Sequence, residues 1–154
     1  MSHKSRFLKN KEAVFLNFSV DDEVISETEK MLNFIFSNEL KDLYKTSNGI
    51  EFGDFIVFPI FDSSTIKSKK KTWNSLQRNN DPELSEYFYG APEVFDNFIV
   101  IATDGNNYYL QSRHDGGAHV WYWEEGSEEI VELDYSLWEW LNEALDQEIQ
   151  YGHI

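Results

Sequence analysis

His114 and His119, with Asp115 between them and Asp104 upstream, are the residues of this chain best suited by type and spacing to metal or acid–base chemistry. Imidazole nitrogens and carboxylates are the donors a divalent ion such as zinc takes, and strands paired across a turn can bring such side chains together. The spacing is generic, and both histidines fall at the wet ends of expected strands, so the plainer reading is two surface histidines and no metal. Asp104-Gly105-Asn106 lacks the ligand series and closing glutamate of a calcium loop and reads as a turn. With no cysteine in the chain, thiolate catalysis, disulfides and cysteine-ligated zinc are all removed. Phosphate-cradling loops, dinucleotide fingerprints, nucleophile elbows and the His-Glu-x-x-His zinc motif are absent as well. The expectation is a protein that is not an enzyme, with no catalytic residue, no cofactor and no metal.

Charge carries more information than any motif. The formal net charge is −15 in 154 residues, and it is lopsided. Residues 81 to 154 hold seventeen acidic side chains and one basic one, Arg113, whereas the preceding part holds eleven acids against twelve bases. Such a field repels nucleic acid and anionic membrane and steers basic partners toward it. The bland alternative is an acidic surface that serves solubility alone. Lys67, Lys69, Lys70 and Lys71 form a basic cluster, read as a solvated loop because the other half of the chain is so strongly negative.

Trp121-Tyr122-Trp123 is the other conspicuous run. In a strand, alternation sets Tyr122 opposite its neighbours, so one of the two faces is either exposed or covered by a helix. An exposed aromatic there would suit a binding anchor, and a covered one would complete the core.

The elements that position these residues follow from periodicity and turn chemistry. Ser19 and Asp22 predict the start of a helix over 20–36, with Val24, Thr28, Met31, Leu32 and Ile35 as its buried stripe. Ser37 or Asn38 caps a second helix carrying Leu40, Leu43 and Tyr44, which exits at Asn48-Gly49. Residues 52–60 read as a first strand, with Pro59 near its end. Residues 62–80 read as a polar surface excursion with a short helix around Trp73 to Gln77, and Asp81-Pro82 opens another carrying Leu84, Tyr87 and Phe88. Four strands follow, Phe98 to Thr103, Tyr108 to Arg113, His119 to Trp123 and Ile130 to Leu133, separated by Gly-, Asn- and Glu-rich turns. Ser136 with Glu139 predicts a capping box for a closing helix with Leu137, Leu141, Ala144, Leu145 and Ile149 buried. On that helix Trp138 and Trp140 lie about 200° apart, so one is expected to be less buried than the other. The fold class is α+β: an antiparallel sheet of about four to six strands, packed by N-terminal helices and a C-terminal helix. One domain spans 1–154, with 1–18 as an N-terminal extension, since neither a repeat nor a linker divides it.

Ser37 to Gly49, with Leu40-Lys41-Asp42-Leu43-Tyr44 and Ser47-Asn48-Gly49, resembles the second-helix signature and exit of the SUKH superfamily, the Smi/Knr-type proteins. Phe98 to Gly105 followed by Asn107 to Leu110 resembles that family's central hairpin, Val120 to Glu125 its next aromatic strand, and Leu137 to Leu145 its closing helix. The departures are Phe36-Ser37-Asn38-Glu39 without the family's helix-opening proline, Ile50 in place of a second glycine, and Gln111 in place of an acid. The resemblance implies an α+β domain that serves in bacteria mainly as the immunity protein of a polymorphic toxin system, other members being regulatory interaction modules. It supplies no catalytic residues.

Lys4, Arg6, Lys9 and Lys11 are followed by no apolar run of signal-peptide length, and no segment reaches the roughly eighteen apolar residues of a membrane span. A cytoplasmic protein is therefore expected. Its expected partner is a basic toxin domain, with a regulatory scaffold for an endogenous protein as the alternative. Glu124, Glu125, Glu128 and Glu129, in the turn after the aromatic strand, are the candidate contacts, together with Tyr122 and Asp104.

Overall fold

The structure, a computed structural model, describes residues 2–61, 74–82 and 94–154. Helix α1, His3–Leu8, and the two-residue strand β1, Phe15–Leu16, lie within the expected N-terminal extension. Helix α2, Asp22–Leu32, starts on Asp21, whose carboxylate accepts from the Val24 amide at 3.0 Å, and so begins later than Ser19 predicts. It also ends early, because Asn33 takes the left-handed conformation at φ 50° and breaks the ladder before Phe36. Ile25, Thr28 and Leu32 are buried on α2, while Met31 and Ile35, expected in the stripe, are 69% and 75% exposed. Helix α3, Asn38–Thr46, begins as expected: Ser37 Oγ accepts from the Leu40 amide at 3.1 Å, and Leu40, Leu43 and Tyr44 are fully buried.

The single strand expected over 52–60 is a hairpin, β2 at Ile50–Phe52 and β3 at Phe55–Val57. Phe52 pairs with Phe55, which leaves Gly53-Asp54 as the turn, and Gly53 adopts φ 54°. A Cβ on Gly53 would lie 2.7 Å from a Glu148 carboxylate oxygen. A short helix α4, Leu76–Asn79, is capped by Ser75 and starts three residues later than expected around Trp73. Helix α5, Val94–Asn97, leads into β4 at Phe98–Thr103, β5 at Asn107–Ser112, β6 at Trp121–Glu124 and β7 at Ile130–Glu132. Most of the polar excursion, residues 62–73, and the helix expected to carry Leu84, Tyr87 and Phe88 fall outside the described residues.

Among the described residues all pairings are antiparallel, and the seven strands lie side by side in sequence order. The sheet is larger than expected because residues 50–57 contribute two strands and β1 adds an edge. The closing helix α6, Leu137–Gln150, has its capping box: the Glu139 carboxylate accepts from the Ser136 amide at 3.4 Å and the Ser136 hydroxyl at 2.9 Å. Leu137, Leu141, Ala144 and Leu145 are buried, but Ile149 is 47% exposed, and Glu148 takes the buried place beside it. Trp138 and Trp140 are both buried, against expectation, since the helix has two walls. Trp138 packs on Phe7 of α1 at 5.8 Å between ring centres, and Trp140 on Tyr109 of the sheet at 4.7 Å.

Candidate functional site

In a meander of neighbouring strands, alternate turns collect at one end. Here the β2–β3, β4–β5 and β6–β7 turns share an end with the last turn of α6, and carboxylates concentrate there. Asp54, Asp104, Glu124, Glu125, Glu128, Glu129 and Glu148 are brought to that end, with His153 beside them.

The four candidate glutamates are exposed. Their turn is nonetheless ordered by its own bonds: the Ser127 amide donates to Glu124 O at 2.9 Å, the Glu129 amide to Ser127 Oγ at 3.1 Å, and Trp123 Nε1 to Ser127 O at 2.9 Å. The Glu125 amide donates to Asn106 O at 3.3 Å, which ties this turn to the one bearing Asp104. The acids are therefore presented from a braced pair of turns. Asp104 differs from them, because its carboxylate is engaged internally. It accepts from the amides of Asn106 and Asn107 at 3.0 and 2.8 Å, from Asn107 Nδ2 at 3.0 Å and from the Tyr109 hydroxyl at 3.1 Å. It shapes the turn and contributes charge.

Register places Val57, Ala102, Tyr109, Tyr122 and Val131 on one sheet face, and Ile56, Thr103, Tyr108, Trp123 and Ile130 on the other. Tyr122 is thus on the face that α6 covers, not on an outer aromatic face. The helix stops short of it: Trp140 rests on Phe55 and Tyr109, whereas Tyr122 is half-buried and Val131 is 47% exposed. Burial pushes the Tyr109 phenol well above its ordinary range, reinforced by the charge of Asp104. Tyr122 is raised too, first by burial and then by Glu124 and Asp104.

The histidine constellation does not assemble. His114 Nε2 pairs with Asn97 Oδ1 at 3.0 Å, and His119 Nδ1 with Glu132 at 2.6 Å. Asp115 accepts from the Gly117 amide at 2.8 Å and from Trp121 Nε1 at 3.3 Å. Among the described residues, the one group of three whose donors lie within 4.8 Å of one another is Asp54, Glu148 and His153. Gly152, at φ 74°, turns the chain past the end of α6, so that His153 Nδ1 meets Glu148 and lies 3.4 Å from Asp54. These are the side chains that could hold a divalent ion. Sequence reading missed them because they converge from a hairpin turn and the opposite end of the chain.

Arg113, the single basic residue after Asp81, is not available to this end. Its Nη1 donates to the carbonyls of Leu32 and Asn33 at 3.0 and 2.9 Å, closing α2, and Nε donates to Phe95 O at 2.9 Å. Burial lowers its pKa. Elsewhere Lys4 pairs with Asp42, Arg6 with Asp146 and Lys45 with Asp22. The lysine cluster lies outside the described residues. A separate hollow is bounded by Phe15, Asn48 and Pro59, and among the described residues Glu51 is its one charged side chain.

No helix among the described residues is long and apolar enough to cross a membrane. No curated protein matches the chain. The model of the SMI1 / KNR4 family (SUKH-1) matches residues 19–143, from the approach to α2 to the middle of α6. That span takes in the second helix, the central hairpin and the aromatic strand, and the chain belongs to the SMI1 / KNR4 family (SUKH-1).

Proposed function

We propose that this protein is a cytoplasmic immunity protein that binds a cognate toxin domain and neutralises it by covering a basic active-site cleft. The observation that carries the reading is the acidic end of the sheet, where Glu124, Glu125, Glu128 and Glu129 stand exposed on braced turns. A toxin that attacks nucleic acid, such as a nuclease, presents a basic cleft to its substrate, and a rigid acidic surface competes for that cleft by charge complementarity. Bracing matters because contacts held in place before binding cost less ordering entropy. The action is binding alone, with no bond made or broken by this chain.

Growth rescue tests the reading. Expressed together with the toxin encoded beside its own gene, the protein restores growth, and the purified pair forms a complex in gel filtration. Absence of a neighbouring toxin gene, or failure to protect against its product, would replace immunity with the regulatory-scaffold reading.

A further inference from the structure

Where α6 ends its cover of the sheet, a cleft of about 230 Å³ opens between β6 and the helix, lined by Tyr122, Leu133, Tyr135, Trp140 and Glu143. It runs into a second cleft toward the acidic turns, since Phe55, Tyr109, Tyr122 and Gln147 line both, and there Asp54, Asp104 and Glu148 add their carboxylates. No lysine or arginine lines either cleft among the described residues. The Glu143 carboxylate has no hydrogen-bond or ion-pair partner among them. We propose that this aromatic and acidic slot takes one arginine side chain of the basic protein partner, its guanidinium lying along the Tyr122 ring and paired with Glu143.

Three features select that occupant. Aromatic walls favour a flat, weakly hydrated cation, because a guanidinium stacks on a ring face while its rim stays free to donate. A carboxylate at the lip accepts such a donor in a charge-assisted bond that a neutral side chain cannot supply. Surplus negative charge at the deep end, with His153 as the one basic group there among the described residues, disfavours an anionic ligand. An apolar side chain would fill the walls and leave the unpartnered Glu143 partly desolvated against hydrocarbon, which is costly. The slot rests on the reading that the partner is a basic protein, and it assigns that partner a central anchor, distinct from the steering charges on the Glu124 to Glu129 turn.

The probe is Nα-acetyl-arginine amide, titrated at low salt against the full chain and followed by NMR of the aromatic side chains. Nα-acetyl-lysine amide and Nα-acetyl-norleucine amide are the comparisons. The arginine probe should move the resonances of Tyr122, Tyr109 and Trp140 saturably, and more tightly than either comparison. Tyr122→Ala and Glu143→Gln should each weaken it by about fivefold, the order expected of a single stacking or charged contact, while Tyr122→Phe should preserve it. Glu143 lies on the partly exposed side of a helix, so its variant reports binding even if Tyr122→Ala fails to fold. Equal binding of lysine removes stacking from the proposal, equal binding of norleucine makes the slot apolar, and shifts scattered over the acidic turns mean non-specific attraction; each overturns it. Because no toxin is present, failure here leaves growth rescue to judge the immunity reading, and a slot that binds arginine stands even if rescue fails.

Discussion

Asn80 and Val100 are joined in both directions: Asn80 Nδ2 donates to the Val100 carbonyl at 2.8 Å, and the Val100 amide donates to Asn80 Oδ1 at 2.8 Å. A side-chain amide thus stands in for a strand neighbour, satisfying the backbone where β4 is about to bulge between Val100 and Ala102. Asn48 does the same for Ile60, at 2.9 and 2.7 Å. Both asparagines are buried, so water cannot replace them.

Asn80→Ala and Asn48→Ala should therefore each destabilise the fold by about 3 kcal/mol, since each orphans a buried donor and a buried acceptor. Urea unfolding checks this. A loss within about 0.5 kcal/mol, typical of surface positions, would mean that the backbone re-pairs without the amide.

Ser136→Ala should cost about 1 kcal/mol, the usual value of a helix cap. The difference from wild type should also depend on pH. Donation from Ser136 holds the Glu139 carboxyl below its ordinary value, so this stabilisation is complete above the ordinary carboxylate range and fades as pH falls through the lowered value. The melts of the two proteins should draw closer together as pH falls through that lowered value. A constant difference across that range would separate the serine's role from the glutamate's charge.

Much of this architecture was legible in advance because it is written locally. Ser37 and Ser136 open helices where capping rules place them, and Phe98 to Thr103 is a strand with the expected limits. What escaped depends on residues far apart. Residues 52 to 60 read as one strand, and their break at Gly53 makes sense only once Glu148 fills the space where a side chain would sit. Trp138 is buried because α1 covers it, and Ile35 is exposed because Asn33 ends the helix that its spacing suggests. The candidate site divides in the same way. The glutamate turn was readable as a charged loop, but the slot beside Tyr122 depends on where α6 stops over the sheet.

Gly53→Ala tests that distant dependence. The added methyl meets the Glu148 carboxylate and must also adopt a left-handed backbone, which costs about 1–2 kcal/mol for a non-glycine residue. The melting temperature should fall. Gly53→Ala combined with Glu148→Ala should lose less than the two single losses added together, because the clash is relieved. Simple additivity would mean that the backbone alone demands glycine.

The acidic turn is tested by kinetics. Replacing Glu124, Glu125, Glu128 and Glu129 together with glutamine should leave stability unchanged, since all four side chains are exposed and the turn is held by bonds from Ser127, Trp123 and the backbone. Association with the proposed toxin partner should slow, and dissociation should change little, because exposed rim charges steer an encounter more than they hold a complex. Salt supplies the discriminating axis. At about 0.15 M, screening over about 8 Å removes the long-range part of the attraction, so the rates for wild type and variant should approach each other as salt rises. Replacing His114 and His119 with alanine should leave both rates within roughly threefold of wild type, as for positions outside a hot spot, since these residues pair with Asn97 and Glu132 rather than with the turn. If the glutamine variant associates at the wild-type rate at low salt, steering does not come from this turn. A faster dissociation at every salt concentration would instead show that these glutamates form close, desolvated contacts in the complex.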